Sequence, residues 1–83
     1  GKDGNADLAV AESYISYGQY AEAVAAARRG IAKGVANAAH AHLVLGIAHY
    51  KADNKAEAVK AFKAAKGNDS LQRLAKLWSL RAS

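Results

Sequence analysis

The chain has 83 residues, with 12 Lys and Arg against 7 Asp and Glu, a formal net charge of +5 and a pI near 9.7. That length supports one small domain, which buries only about 60–65% of its unfolded surface. The lack of cysteine excludes disulfides and thiolate metal sites and leaves the redox compartment open, cytoplasmic or periplasmic.

No apolar run approaches the roughly 20 residues of a membrane span, and no signal-peptide pattern is present. The positive charge raises the expectation of acidic partners, nucleic acid included. Lys55, Lys60, Lys63 and Lys66 are nevertheless spaced along a helix, as on a solvated face, so nucleic acid is the weaker expectation. The start, "GKDGNAD", lacks a Met and reads as a piece of a longer protein, with Gly1 as a tag remnant and residues 1–4 as a disordered lead.

Five helices are predicted in chain order. The first runs from about Asn5 to Tyr17 and is broken by Gly18. The second runs from Tyr20 to Lys33, where Gly34 can take the left-handed stop. Asn37 can cap the third, which reaches about Ala52. Asp53-Asn54 makes a tight turn into the fourth, Lys55 to Lys66, with Gly67 beyond it. Asp69 or Ser70 can cap the fifth, which runs to about Ala82. Period-2 alternation is absent, so no strand is predicted and the chain is expected to be all-α.

The helices pair. "AEAV" occurs at residues 21–24 and again at 56–59, so Ala23 and Ala58 are 35 residues apart. The same shift relates Ala11 to Gly46, Tyr14 to His49, Ala27 to Phe62 and Gly30 to Ala65. A period of this length is that of a stack of helix-turn-helix units.

The pattern resembles the tetratricopeptide repeat (TPR) family. The second unit carries His42, Leu45-Gly46, His49, Asp53, Lys55, Ala58, Phe62, Ala65 and Ser70 at the family's marked positions. The first carries Asp7, Val10-Ala11, Tyr14, Gly18, Tyr20, Ala23, Ala27, Gly30 and Val35. His42 and Asp7 stand where Trp is common, His49 replaces Tyr, and no proline separates the units. The resemblance implies a right-handed α-hairpin solenoid with hairpins at 5–36 and 37–69 and a capping helix at 70–83. It also resembles the C-terminal end of bacterial TPR proteins.

Glycine costs about 1 kcal/mol relative to alanine inside a helix. Gly46 and Ala11 are expected to face Ala58 and Ala23, where larger side chains would hold the helices apart. Gly46→Ala should then be mild and Gly46→Leu disruptive. Phe62 joins this packing. Ala6, Val10, Tyr14 and Tyr17 are expected to form the core stripe of the first helix, and Leu45 and His49 that of the third, beside Ala41 and Ala48. Leu71, Leu74, Ala75 and Trp78 form the sealing face of the fifth helix.

By resemblance, the flank of each first helix faces a groove that binds peptides. Leu8, Glu12 and Ile15 would line it with Leu43, Ile47, Tyr50 and Lys51, extended by Asn5, Ser16 and His40. Two other assignments stay open: the fifth helix covers this flank, or the flank is core. Leu8, Glu12, Leu43 and Ile47 stand where the carboxylate-clamp subclass needs Lys and Asn, which argues against capture of a C-terminal carboxylate.

His40 and His42 splay about 200° apart, and His42 and His49 lie about 10 Å apart along the helix axis, too far to share one zinc. No phosphate loop, nucleophilic triad or paired carboxylate is evident, so neither cofactor nor metal nor enzymatic activity is expected. The expected function is a protein-interaction module for a peptide or helix. The alternative is a structural domain that packs on its parent chain or forms a homo-oligomer, with nucleic-acid binding less favoured.

Overall fold

The computed structural model describes residues 4–65, 73, 76–78, 80 and 81. The protein is all-α with five helices and, among the described residues, no strand. Helix α1 spans Gly4–Ser16, α2 Tyr20–Lys33, α3 Ala38–Lys51 and α4 Lys55–Ala64. Residues 73, 76–78, 80 and 81 are helical and carry the fifth, α5. Among the described residues no helix is long and apolar enough to cross a membrane.

Helix α1 packs on α2 and α3 on α4, each pair as a hairpin. Helix α2 then packs on α3, which joins the two hairpins. The turns inside the hairpins are built alike. In the first, the N–H groups of Tyr17, Gly18 and Gln19 donate to the carbonyls of Ser13, Ile15 and Tyr14 at 3.1, 3.1 and 2.8 Å. In the second, those of Ala52, Asp53 and Asn54 donate to Ala48, Tyr50 and His49 at 2.9, 3.1 and 2.8 Å. Every donor and acceptor is shifted by 35 residues. Gly18 (φ 77°) and Asp53 (φ 68°) hold the same left-handed position, which Asp tolerates better than most residues with a Cβ.

Between the hairpins, the Asn37 side chain accepts from the N–H of His40 at 3.0 Å and caps α3. Asn5, expected on the groove, instead accepts from the N–H of Ala36 at 3.0 Å and ties α1 to this loop. Asp7, in the first turn of α1, lies 2.8 Å from Lys33 in the last turn of α2. Each charge sits at the helix end whose dipole favours it, and antiparallel packing brings the two ends together. Arg29 stands 3.6 Å from the same carboxylate. The Lys33 hydrogen bond leads the effects that lower the Asp7 pKa.

The start of α1 differs from expectation. Gly4, assigned to a disordered lead, is helical and buried. A Cβ there would overlap the carbonyl oxygens of Gly30 and Gly34, and one on Gly30 would stand 2.7 Å from the Gly4 oxygen. The two backbones touch directly. Helix α4 ends at Ala64, two residues short of the predicted Lys66.

The core stripe of α1 also differs. Gly4, Leu8 and Ala11 are buried and Ile15 packs half-buried on the first cluster; of the expected stripe Tyr14 also packs there, whereas Ala6, Val10 (42% exposed) and Tyr17 (79% exposed) face outward. The helix carries two apolar stripes, and α2 lies on the Leu8 side. On α3 both stripes are used. Leu43 joins Ala58, Phe62 and Ala65 in the second hairpin, while Ala41 and Val44 join Leu8, Ala11, Ala26 and Ala27 in the first.

The nearest side chain to Gly46 is the Phe62 ring, and a Cβ built on Gly46 falls on the ring edge. Phe62 is 2% exposed and stacks on Trp78 at 6.1 Å, so the ring has nowhere to retreat. Trp78 also meets the Tyr50 ring edge-on at 5.3 Å, which seats α5 on the second hairpin. Leu71, Leu74 and Ala75 lie outside the described residues.

The expectation that Gly46→Ala is mild is therefore revised. In urea melts it should cost about 1–3 kcal/mol through overpacking. In a Phe62→Leu background the same change should be neutral or stabilise by up to about 1 kcal/mol, since alanine is the better helix former.

Candidate functional site

The flank expected to form a binding groove is only partly open. Leu8 (7% exposed) and Leu43 (3%) are turned into the hairpin cores, because they share the stripe that α2 and α4 cover. They are corrected from groove to core. Tyr50 is half-buried, with Trp78 against its edge. Ile15 and Ile47 are half-buried and pack on the first and second clusters respectively.

Glu12 and Lys51 remain at the surface. The Glu12 carboxylate lies 3.2 Å from His40 Nε2, which bridges α1 and α3 across the flank. With both side chains at least 40% exposed, such a pair contributes no more than about 1 kcal/mol. Lys51 Nζ stands 5.8 Å from the centroid of the Tyr20 ring, a surface cation–π contact. Ser16 turns its hydroxyl back to the Glu12 carbonyl at 3.2 Å. What stays accessible on this flank is the Glu12–His40 pair, Lys51 and the uncovered parts of Ile15 and Ile47.

A second depression of about 230 Å³ lies along the seam of α2, α3 and α4. Arg28 lines it from α2, His42, Leu45 and His49 from α3, and Glu57, Lys60, Ala61 and Ala64 from α4. The sequence places Leu45 and His49 on the core stripe of the third helix, His42 at a family position and Lys60 on a solvated face, but does not bring these side chains together. The available signal was the i, i+3, i+7 spacing of His42, Leu45 and His49, which puts them on one side of α3. Lys60 and Glu57 pair at 3.4 Å on the rim.

His49 is 6% exposed, and its Nδ1 finds no hydrogen-bond partner. Burial pushes its pKa below the usual 6.5; the Arg28 cation adds to this and Glu57 opposes it. The ring is thus held neutral at pH 7. Among the described residues no three His, Cys, Asp or Glu side chains are grouped to hold a metal ion.

The chain matches no protein-family model, and no curated protein or solved structure is significantly similar to it.

Since the folded state resists protonating His49, stability should be full above pH about 6.5. It should fall as pH drops below that value, where the unfolded chain takes up the proton first. Melting temperatures at pH 8 and pH 5 check this. His49→Gln should shrink the difference between them; an unchanged difference would assign it to other groups.

Proposed function

We propose that this chain is a helical-repeat interaction module of the TPR type, a right-handed stack of α-hairpins that binds a peptide or short helix along the α1–α3 flank. The observation that supports the reading is the set of three turn hydrogen bonds that recurs at a 35-residue offset. Helical repeats present one continuous face, and their first helices contribute to it side by side.

The ligand this flank suits is modest. Ile15 and Ile47 offer apolar surface for one or two aliphatic side chains, and Lys51 favours an acidic residue beside them. Leu8, Leu43 and Tyr50 support the flank from below rather than touch the ligand. Catalysis is not part of this reading.

A direct test is selection of peptides from a random library on the immobilised protein. Selected peptides are expected to lose about tenfold or more in affinity to Ile47→Asp or Lys51→Glu. They should be unaffected by Lys63→Ala on α4. Peptides indifferent to the first two variants would overturn the assignment, provided circular dichroism shows both variants folded. Leu43→Ala is unsuitable here, since it would open a cavity in the second hairpin.

A further inference from the structure

The outward face of α1 has the composition of a buried surface. Ala6, Val10, Ser13 and Tyr17 recur at positions i, i+4, i+7 and i+11, a strip about 17 Å long with no charge on it. Shifted by 35 residues, Ala6, Val10 and Ser13 become Ala41, Leu45 and Ala48 of α3. There Ala41 and Leu45 pack against the first hairpin and Ala48 is fully buried. On α1, Val10 is 42% and Tyr17 79% exposed, and no described residue covers the strip.

We propose that a second copy of this chain covers it, with the two α1 helices packed antiparallel about a two-fold axis. Two features select this occupant. The first is shape. Antiparallel pairing about a point midway between Val10 and Ser13 sets Tyr17 against Ala6 of the second copy and Val10 against its Ser13. Each large side chain meets a small one, so the face is complementary to itself, as a two-fold interface requires.

The second feature is charge. The exposed charges of α2 and α4 are Arg28, Arg29, Lys33, Lys55, Lys60 and Lys63 against Glu22 and Glu57, so these faces are basic on balance and repel their own image. The α1 strip meets its own image without that repulsion. Two helices of 13 residues bury less than the roughly 1,200 Å² of a standard interface, so the dimer falls in the weak, small-interface class. This face is not the α1–α3 flank assigned to peptide binding, and the two proposals stand or fall separately.

Sedimentation equilibrium from 10 µM to 1 mM tests the proposal. The mass should rise toward that of a dimer and stop there. Val10→Lys with Tyr17→Lys should hold the protein monomeric throughout, with its melting temperature in dilute solution unchanged. Leu77→Lys on α5 should leave the dimer intact. The chain has no cysteine, so Val10→Cys and Ser13→Cys proteins can be mixed in equal amounts and oxidised; the mixed cross-link should exceed either like pair by well over the twofold that random pairing gives. A monomer at 1 mM, a mass that climbs past the dimer, loss of association with Leu77→Lys, or a mixed cross-link no more abundant than random pairing gives would each overturn it.

Discussion

The contact between Gly46 and the Phe62 ring sets the geometry of the second hairpin, and α5 is seated through it. With no side chain at Gly46, the edge of the ring lies against the α3 backbone, and the ring stacks on Trp78. Trp78 in turn leans on Tyr50 and carries Arg81 5.4 Å from its own ring. Thirty-five residues earlier the same two positions hold Ala11 and Ala27, both fully buried. The first hairpin has a small residue at each position; in the second, the Phe62 ring occupies the space that a Cβ at residue 46 would need, and glycine is the consequence.

Small residues recur wherever helices meet. Ala11, Ala26, Ala27 and Ala41 are fully buried in the first cluster, and Gly4 and Gly30 bring the open end of that hairpin into backbone contact. A core of alanines contributes little apolar area per residue, so its stabilisation rests on dense packing of backbone and Cβ atoms. The polar groups fit this scheme at the edges. The Asp7–Lys33 pair joins two helix ends, Asn37 caps α3, and the Glu12–His40 pair spans the seam between hairpins.

Helix α3 is the central element because it buries two stripes. One packs on α4 and the other on the first hairpin, which is why its sequence is apolar nearly all round. Helix α1 has the same two stripes and buries only one among the described residues. The depression beside His49 lies where α3 passes between α2 and α4. Local spacing marks one wall, His42, Leu45 and His49, but Arg28 of α2 and Glu57 and Lys60 of α4 reach it only through the packing of helices distant in the chain.

Much was legible locally. The helices, the breaks at Gly18 and Asp53-Asn54, the Asn37 cap and the all-α class follow from propensity, capping and turn chemistry, which act within a few residues. What these local rules left open was direction. On α1, the stripe of Leu8, Ala11 and Ile15 and the stripe of Ala6, Val10 and Tyr17 are comparably apolar, and periodicity cannot choose between them. The position of α2 chose, and that turned Leu8 and, one hairpin later, Leu43 from an open flank into core. Gly46 likewise announced a close approach, but its partner could be Ala58 or Phe62 until the helices were set in space. Short-range energetics wrote the elements into the sequence; their faces were decided by steric fit between elements distant in the chain.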